Sequence, residues 1–302
     1  MKILIAGGSG FLGTALVRAL STDHDIVILS RRSSVPSTAR VSVVPWTPDG
    51  SAGPWTAWLE GTGAVVNLAG ESIAARRWTA AQKRRILDSR LLATRNLATA
   101  IANASHPPAV FVSGSAVGYY GPLGDEIVSE DHAPGTDFLA TVCVKWEGQA
   151  LAAASSRTRV VLVRTGIVLD RREGALPKML PPFWIGAGGS VGSGLQYWPW
   201  IHLEDWVALV RHALQDTSVS GPLNLTAPNP VRNRDFARTL GQVIHRPAFV
   251  PTPGFALKML LGEMADGLLL SGQRAIPAKA EQLGFQFRYR ELEPALRAIF
   301  SQ

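Results

Sequence analysis

The chain opens MKILIAGGSGFLGTALVRAL (1–20), and these residues decide the fold. Lys2–Ala6 is a short, near-continuous apolar run, as in a strand covered on both faces. Gly7, Gly10 and Gly13 follow directly as G-x-x-G-x-x-G. From Phe11 to Leu20 apolar residues recur at helical spacing. Strand, glycine turn and helix together form a pyrophosphate site. The glycines permit a tight turn, close backbone approach to the ligand and close helix–strand packing. Unpaired N–H groups at the positive end of the helix then meet the phosphates. A merely tight turn is the competing reading, and the placement between strand and helix argues against it.

The next strand-like run, Asp25–Leu29, ends at Ser30-Arg31-Arg32. An acid at this point holds the ribose hydroxyls of NAD, whereas an arginine accommodates the 2′-phosphate of NADP. No Asp or Glu occurs between Asp25 and Asp49. The expected cofactor is therefore NADP(H), with Ser30, Arg31 and Arg32 at the adenosine ribose and Arg31 the stronger candidate. Two solvated loop arginines are the alternative.

Outward from this start, strand-like runs alternate with helical segments. Further strands are expected at Val41–Pro45, Ala64–Asn67, Ala109–Ser113, Arg159–Val163 and Pro222–Leu225. Helices are expected at Thr79–Asn103, Asp137–Ala154, Leu203–Leu214, Asn233–Ile244, Phe255–Leu270 and Glu291–Phe300. Residues 50–58 and 181–200, rich in Gly, Pro and Trp, read as loops. The alternation predicts an α/β fold, a Rossmann-type doubly wound parallel sheet, with a smaller, partly helical C-terminal substrate lobe. Residues 1–170 with 200–225 form the expected NADP-binding domain, and 171–199 with 226–302 the lobe that covers the nicotinamide end.

Composition narrows the functional classes. No apolar run reaches the ~18–20 residues of a membrane span, and the N-terminal run leads into glycines and not a cleavage site. The single cysteine, Cys143, excludes an intrachain disulfide and fits a reducing, cytoplasmic setting. The net charge of +7 comes from residues spread along the chain, with one dense run at Lys83-Arg84-Arg85. No nucleic-acid motif accompanies it, so a small-molecule partner is expected and no nucleic acid or membrane. The six histidines have no metal-ligand spacing, so no metal is expected.

Over essentially its whole length the chain resembles the extended short-chain dehydrogenase/reductases. It is most similar to an atypical epimerase-family branch that ends in a small domain of unknown function. The stretches that carry the resemblance include NLAGESI (67–73), SGSAVGYYG (113–121), DFLATVCVKWE (137–147), VRTGIVL (163–169), PWIHLEDW (199–206) and SGQRAIPAKAEQLGF (271–285). It implies that Leu68, Ala69 and Gly70 line the adenosine–ribose side, that Arg90 reaches the phosphates, and that Val168 packs near the nicotinamide. Phe11 and Leu12 belong to the same glycine motif.

The resemblance also exposes a break. Superfamily catalysis uses a Ser with Tyr-x-x-x-Lys, the Tyr serving as acid/base. Ser115 matches the Ser and Lys145 the Lys, a residue that also holds the cofactor ribose. Four residues before Lys145 stands Thr141. A threonine hydroxyl is too weak an acid, and too short, to replace a phenol of pKa ~10. Either Tyr119 or Tyr120 supplies the acid, or the chemistry is lost. A further departure is Trp198, four residues before His202, where sugar-nucleotide enzymes of this type carry an arginine. With Tyr197 and Trp200 it makes an apolar, aromatic ligand face or a packing cluster. Two readings follow: an NADP-dependent oxidoreductase or epimerase-like enzyme acting on a small molecule, or a protein that holds NADPH without turnover.

Overall fold

The computed structural model describes residues 1–31 and 38–301. Its strands are β1 (Lys2–Ala6), β2 (Asp25–Ser30), β3 (Val41–Pro45), β4 (Ala64–Asn67), β5 (Val110–Ala116), β6 (Ile127–Val128), β7 (Arg159–Thr165), β8 (Ile167–Leu169), β9 (Tyr197–Trp198), β10 (Trp200–His202), β11 (Gly221–Leu225), β12 (Val231–Arg232) and β13 (Arg274–Ala275). The helices are α1 (Phe11–Leu20), α2 (Ala80–Asn103), α3 (Phe138–Leu151), α4 (Leu176–Trp184), α5 (Leu203–Gln215), α6 (Asn233–Val243), α7 (Gly254–Leu261), α8 (Glu263–Ala265), α9 (Ala278–Gln282) and α10 (Leu292–Phe300).

Seven strands form one sheet in the order β11-β7-β5-β4-β1-β2-β3. Every neighbouring pair is parallel. The order reverses between β1 and β4, so a crevice opens outside their carboxyl ends, where open α/β sheets bind ligands. One face of the sheet is covered by α1 and α5 through Leu16, Leu20, Trp206 and Leu209. The other is covered by α2 through Ala93, Leu97 and Ile101 and by Ala150 of α3. This is the doubly wound Rossmann architecture that the alternation predicts.

The first half follows the sequence closely, with α1 and β1 at the expected residues. Strands β5 and β7 run further than their apolar cores, to Ala116 and Thr165. The extra residues are polar or small and carry the site described below. The segment 181–200 is not all loop. α4 holds Pro181 and Pro182 in its final turns and buries Leu176, Leu180 and Phe183. Residues 255–270 are not one helix, because Gly262, at φ 63°, ends α7 before α8 begins. Trp200–His202 pairs with β8 outside the main sheet, and the chain returns to that sheet only at β11. A second apolar core gathers α4, α6 and α10 around Phe183, Trp198, Trp200, Phe236 and Leu296.

Candidate cofactor site and the displaced catalytic set

The β1–α1 turn is built by what its glycines lack. A Cβ on Gly13 would lie 2.2 Å from the Gly7 carbonyl oxygen, so α1 presses directly on the turn. Gly7 adopts φ +81°, and a Cβ there would meet the Leu68 carbonyl carbon at 2.7 Å. The ends of β1 and β4 thus close on each other, and Leu68 N–H donates to the Ala6 carbonyl at 2.8 Å. Gly10 differs. It is exposed, has φ −87°, and its Cβ would meet only the Gly7 oxygen at 3.4 Å. Gly10 caps α1 without a side-chain hydrogen bond, whereas Thr79 and Asp137 cap α2 and α3. The first N–H groups of α1 therefore have no side chain competing for them, and the space in front of Gly10 is open. The arrangement fits a pyrophosphate.

Around this turn lie the other expected cofactor residues. Phe11 and Leu12 are half-buried and pack on the core beside Val168. Val168 is itself buried in β8 and pairs with Ile201. Ser30 is buried at the end of β2, and Arg31 follows it exposed. Arg32 lies outside the described residues. Leu68 and Ala69 are half-buried, and Gly70 is exposed. Asn67 shapes this loop by accepting from the Ala69 N–H at 3.2 Å. A Cβ on Gly70 would lie 3.2 Å from the Arg90 guanidinium carbon. Arg90 donates to the carbonyls of Glu71 (2.9 Å) and Ile86 (3.0 Å) and sits 5.1 Å from the Trp146 ring. Burial holds its pKa below the ordinary arginine value.

The α3 face corrects the expected catalytic set. Lys145 and Thr141 are both exposed, and the Thr141 hydroxyl donates to the Asp137 carbonyl at 2.9 Å within its own helix. The side chains turned toward β5 and the turn that follows it are Leu139, Cys143, Trp146 and Glu147. Leu139 lies against Gly118, whose Cβ would meet it at 3.2 Å. It packs in an apolar cluster with Trp78, Val142, Met264 and Leu268. The Cys143 thiol contacts the Ala116 carbonyl at 3.7 Å. Burial, aided by Glu147, pushes the thiol pKa up to about 12. A Tyr-x-x-x-Lys pair facing β5 would need these two positions, and they hold leucine and cysteine.

Ser115 and Tyr120 belong to a buried network. Ser115 donates to Glu147 Oε1 at 2.6 Å. Glu147 also accepts from Arg164 Nε at 2.8 Å and Nη2 at 2.9 Å. Arg164 Nη1 donates to the Tyr120 hydroxyl at 3.0 Å, which donates to Asn224 Oδ1 at 2.7 Å. Burial opposes the Arg164 charge, but its bonds to Glu147 outweigh that and raise its pKa. The Tyr120 phenol, 1% exposed, is pushed up to about 12, chiefly by burial. This geometry corrects Tyr120 as an acid/base, because its hydroxyl is committed on both sides inside the core. Ser115, 5% exposed, directs its only proton at a carboxylate. Tyr119 remains half-buried, with the Arg164 guanidinium 3.5 Å from its ring centre.

Glu147 and Arg164 were not singled out in the sequence. A signal existed for Arg164, since a lone charge inside the apolar run VVLVRTGIVL implies a buried partner. Of the two readings of the aromatic residues, the packing cluster is the one the structure shows for the tryptophans. Trp198 and Trp200 are core residues, 5% and 0% exposed, while half-buried Tyr197 sits 5.4 Å from both Arg232 and Arg274. The C-terminal region does reach the α3 end of the site. A Cβ on Gly267 would lie 2.7 Å from the Trp78 ring and 3.9 Å from Leu139, and Glu263 pairs with Lys83.

Residues 3–225 match the sequence profile of the NAD dependent epimerase/dehydratase family. The chain belongs to that family. Residues 252–299 match a domain of unknown function, DUF1731. The chain is 42% identical over 295 residues to the epimerase family protein ML0860 of Mycobacterium leprae, covering 97% of this chain and 94% of that one. It is 42% identical over 305 residues to the chloroplastic SDR39U1 homolog of Arabidopsis thaliana, covering 99% and 86%. The crystal structure of the human epimerase family protein SDR39U1 with NADPH superposes with a TM-score of 0.90 at 37% identity, covering both chains fully. Among the described residues, no helix of this family member is long and apolar enough to cross a membrane.

Proposed function

We propose that this chain binds NADP(H) at the β1–α1 turn and that tyrosine-dependent carbonyl reduction is not its chemistry. The observation that carries this reading is a contrast at one sheet edge. The glycine turn is open for phosphates, while the α3 positions facing β5 are Leu139 and Cys143. The human relative's NADPH supports the cofactor assignment. Gly7, Gly10 and Gly13 would hold the pyrophosphate and Arg31 the 2′-phosphate. Leu68–Gly70 would line the adenosine ribose, and Arg90 would supply a cation beside it. When bound, the cofactor supplies a hydride. This chain's own residues orient it, and Leu139 with Trp78 and Leu268 keeps water from that end.

The partial exposure of Tyr119 favours a second reading, turnover of a small molecule with Tyr119 as acid. One fluorescence titration and one assay separate the readings. NADPH binds more tightly than NADH, and Arg31→Ala removes the difference; equal affinity in the wild type overturns the cofactor assignment. Against a panel of aldehydes, ketones and quinones, NADPH is not oxidised above background. Turnover that Tyr119→Phe abolishes establishes the second reading instead.

A further inference from the structure

Outside the cofactor site, a cavity runs along α6. It measures about 910 Å³ and is lined by Arg234, Arg238, His245, Arg246 and Phe249, with Asp235 the one acid. That volume lies in the range of small-molecule sites, ~300–1,000 Å³. None of its lining residues belongs to the glycine turn or to the α3 face.

The arginines there are under-used. A guanidinium offers a planar fork of N–H donors suited to phosphate or carboxylate. Arg234 comes no nearer than 3.9 Å to Asp235. Arg238 makes one bond, to Asp235 at 3.1 Å. Arg246 has one long hydrogen bond, 3.4 Å, to the neighbouring His245 carbonyl, and its guanidinium lies 5.6 Å from the Trp184 ring. One aspartate faces three arginines, so the cavity is positive.

Two further features bear on the ligand. His245 is the one non-glycine residue at positive φ among the described residues, 54°, just past the end of α6. Glycine takes that position without strain, so the imidazole is kept beside the arginines at a conformational cost. Phe249, 78% exposed, offers a flat apolar surface at the same cavity.

We propose that this cavity binds a phosphorylated organic molecule, its phosphate on Arg234, Arg238 and Arg246 and its apolar portion on Phe249. Such a ligand satisfies both the charge and the exposed ring, which inorganic phosphate alone does not. The site is separate from the glycine turn and does not rest on the cofactor reading.

Calorimetric titrations of the full chain, with and without NADPH, test it using inorganic phosphate and adenosine monophosphate as probes. Saturable binding of both is expected, with the monophosphate ester at least several-fold tighter. The double variant Arg238→Ala/Arg246→Ala weakens both by tenfold or more without altering NADPH affinity. Phe249→Ala removes the advantage of the ester alone. No saturable binding, or binding that survives the double variant, would each overturn the assignment. Both arginines are exposed, so the variants keep the fold, and unchanged circular dichroism verifies it.

Discussion

The β1–α1 turn and the β5–α3 face lie at the same edge of one sheet, yet they use their residues in opposite ways. At the turn, function depends on missing atoms. Gly7 and Gly13 are fixed by steric contact, and Gly10 leaves space for a ligand. At the α3 face, polar side chains are present but turned inward. Ser115, Glu147, Arg164 and Tyr120 satisfy one another and hold β5, β7 and β11 together. A binding site made of backbone can persist while the side chains of a neighbouring site become core. The two regions therefore respond differently to substitution.

The largest difference concerns stability. Glu147 and Arg164 are a buried ion pair, and removing one partner of such a pair costs about 3–5 kcal/mol. Glu147→Ala is expected to lower the unfolding free energy from urea denaturation by that amount. A loss below about 1 kcal/mol would show that the face is not the structural unit described here.

Next in size is an alkaline effect. The Tyr120 phenol sits at about 12 in the folded chain, against ~10 unfolded. Its folded pKa is raised, so its contribution is complete below pH ~10 and is lost as pH rises toward 12. At ~1.4 kcal/mol per unit this is about 2–3 kcal/mol. Urea denaturation from pH 8 to 11.5 should show this decline, and Tyr120→Phe should flatten it while costing stability at pH 8. An unchanged slope in the variant would place the titration elsewhere.

The smallest effect concerns Cys143, 3% exposed with its thiol pKa pushed up to about 12 by burial. Native protein is expected to leave Ellman's reagent unreacted while denatured protein reacts fully, because the thiolate is the nucleophile. Rapid reaction in the native state would mean the α3 face opens.

The dinucleotide half was legible because its signals are local. Lys2–Ala6, the glycines and Phe11–Leu20 each encode their own geometry. On α3 the Tyr-x-x-x-Lys spacing counted from Lys145 falls two residues off the inward face. Lys145 is the one lysine on that helix, and counting back from it reaches Thr141. Two residues turn a helix by about 200°, so both side chains land on the solvent side. The stripe Leu139, Val142, Cys143, Trp146, Glu147 and Ala150 marks the inward face and was available in the sequence. What no local pattern revealed is that Ser115 and Tyr120 meet Arg164 and Asn224, residues distant in the chain. α4 escaped notice because Pro181 and Pro182 read as breakers, although they fall in its last turns.

If the glycine turn binds the cofactor and the lysine of the expected catalytic pattern does not, Gly10→Val and Lys145→Ala should part in an NADPH titration. Gly10 has ordinary φ and open space before it, so valine there spares the fold and fills the place of the phosphates. The expected result is an affinity loss of about a hundredfold or more for Gly10→Val, equivalent to ~2.8 kcal/mol, and wild-type affinity for Lys145→Ala. Full binding by Gly10→Val, or a tenfold loss in Lys145→Ala, would contradict it.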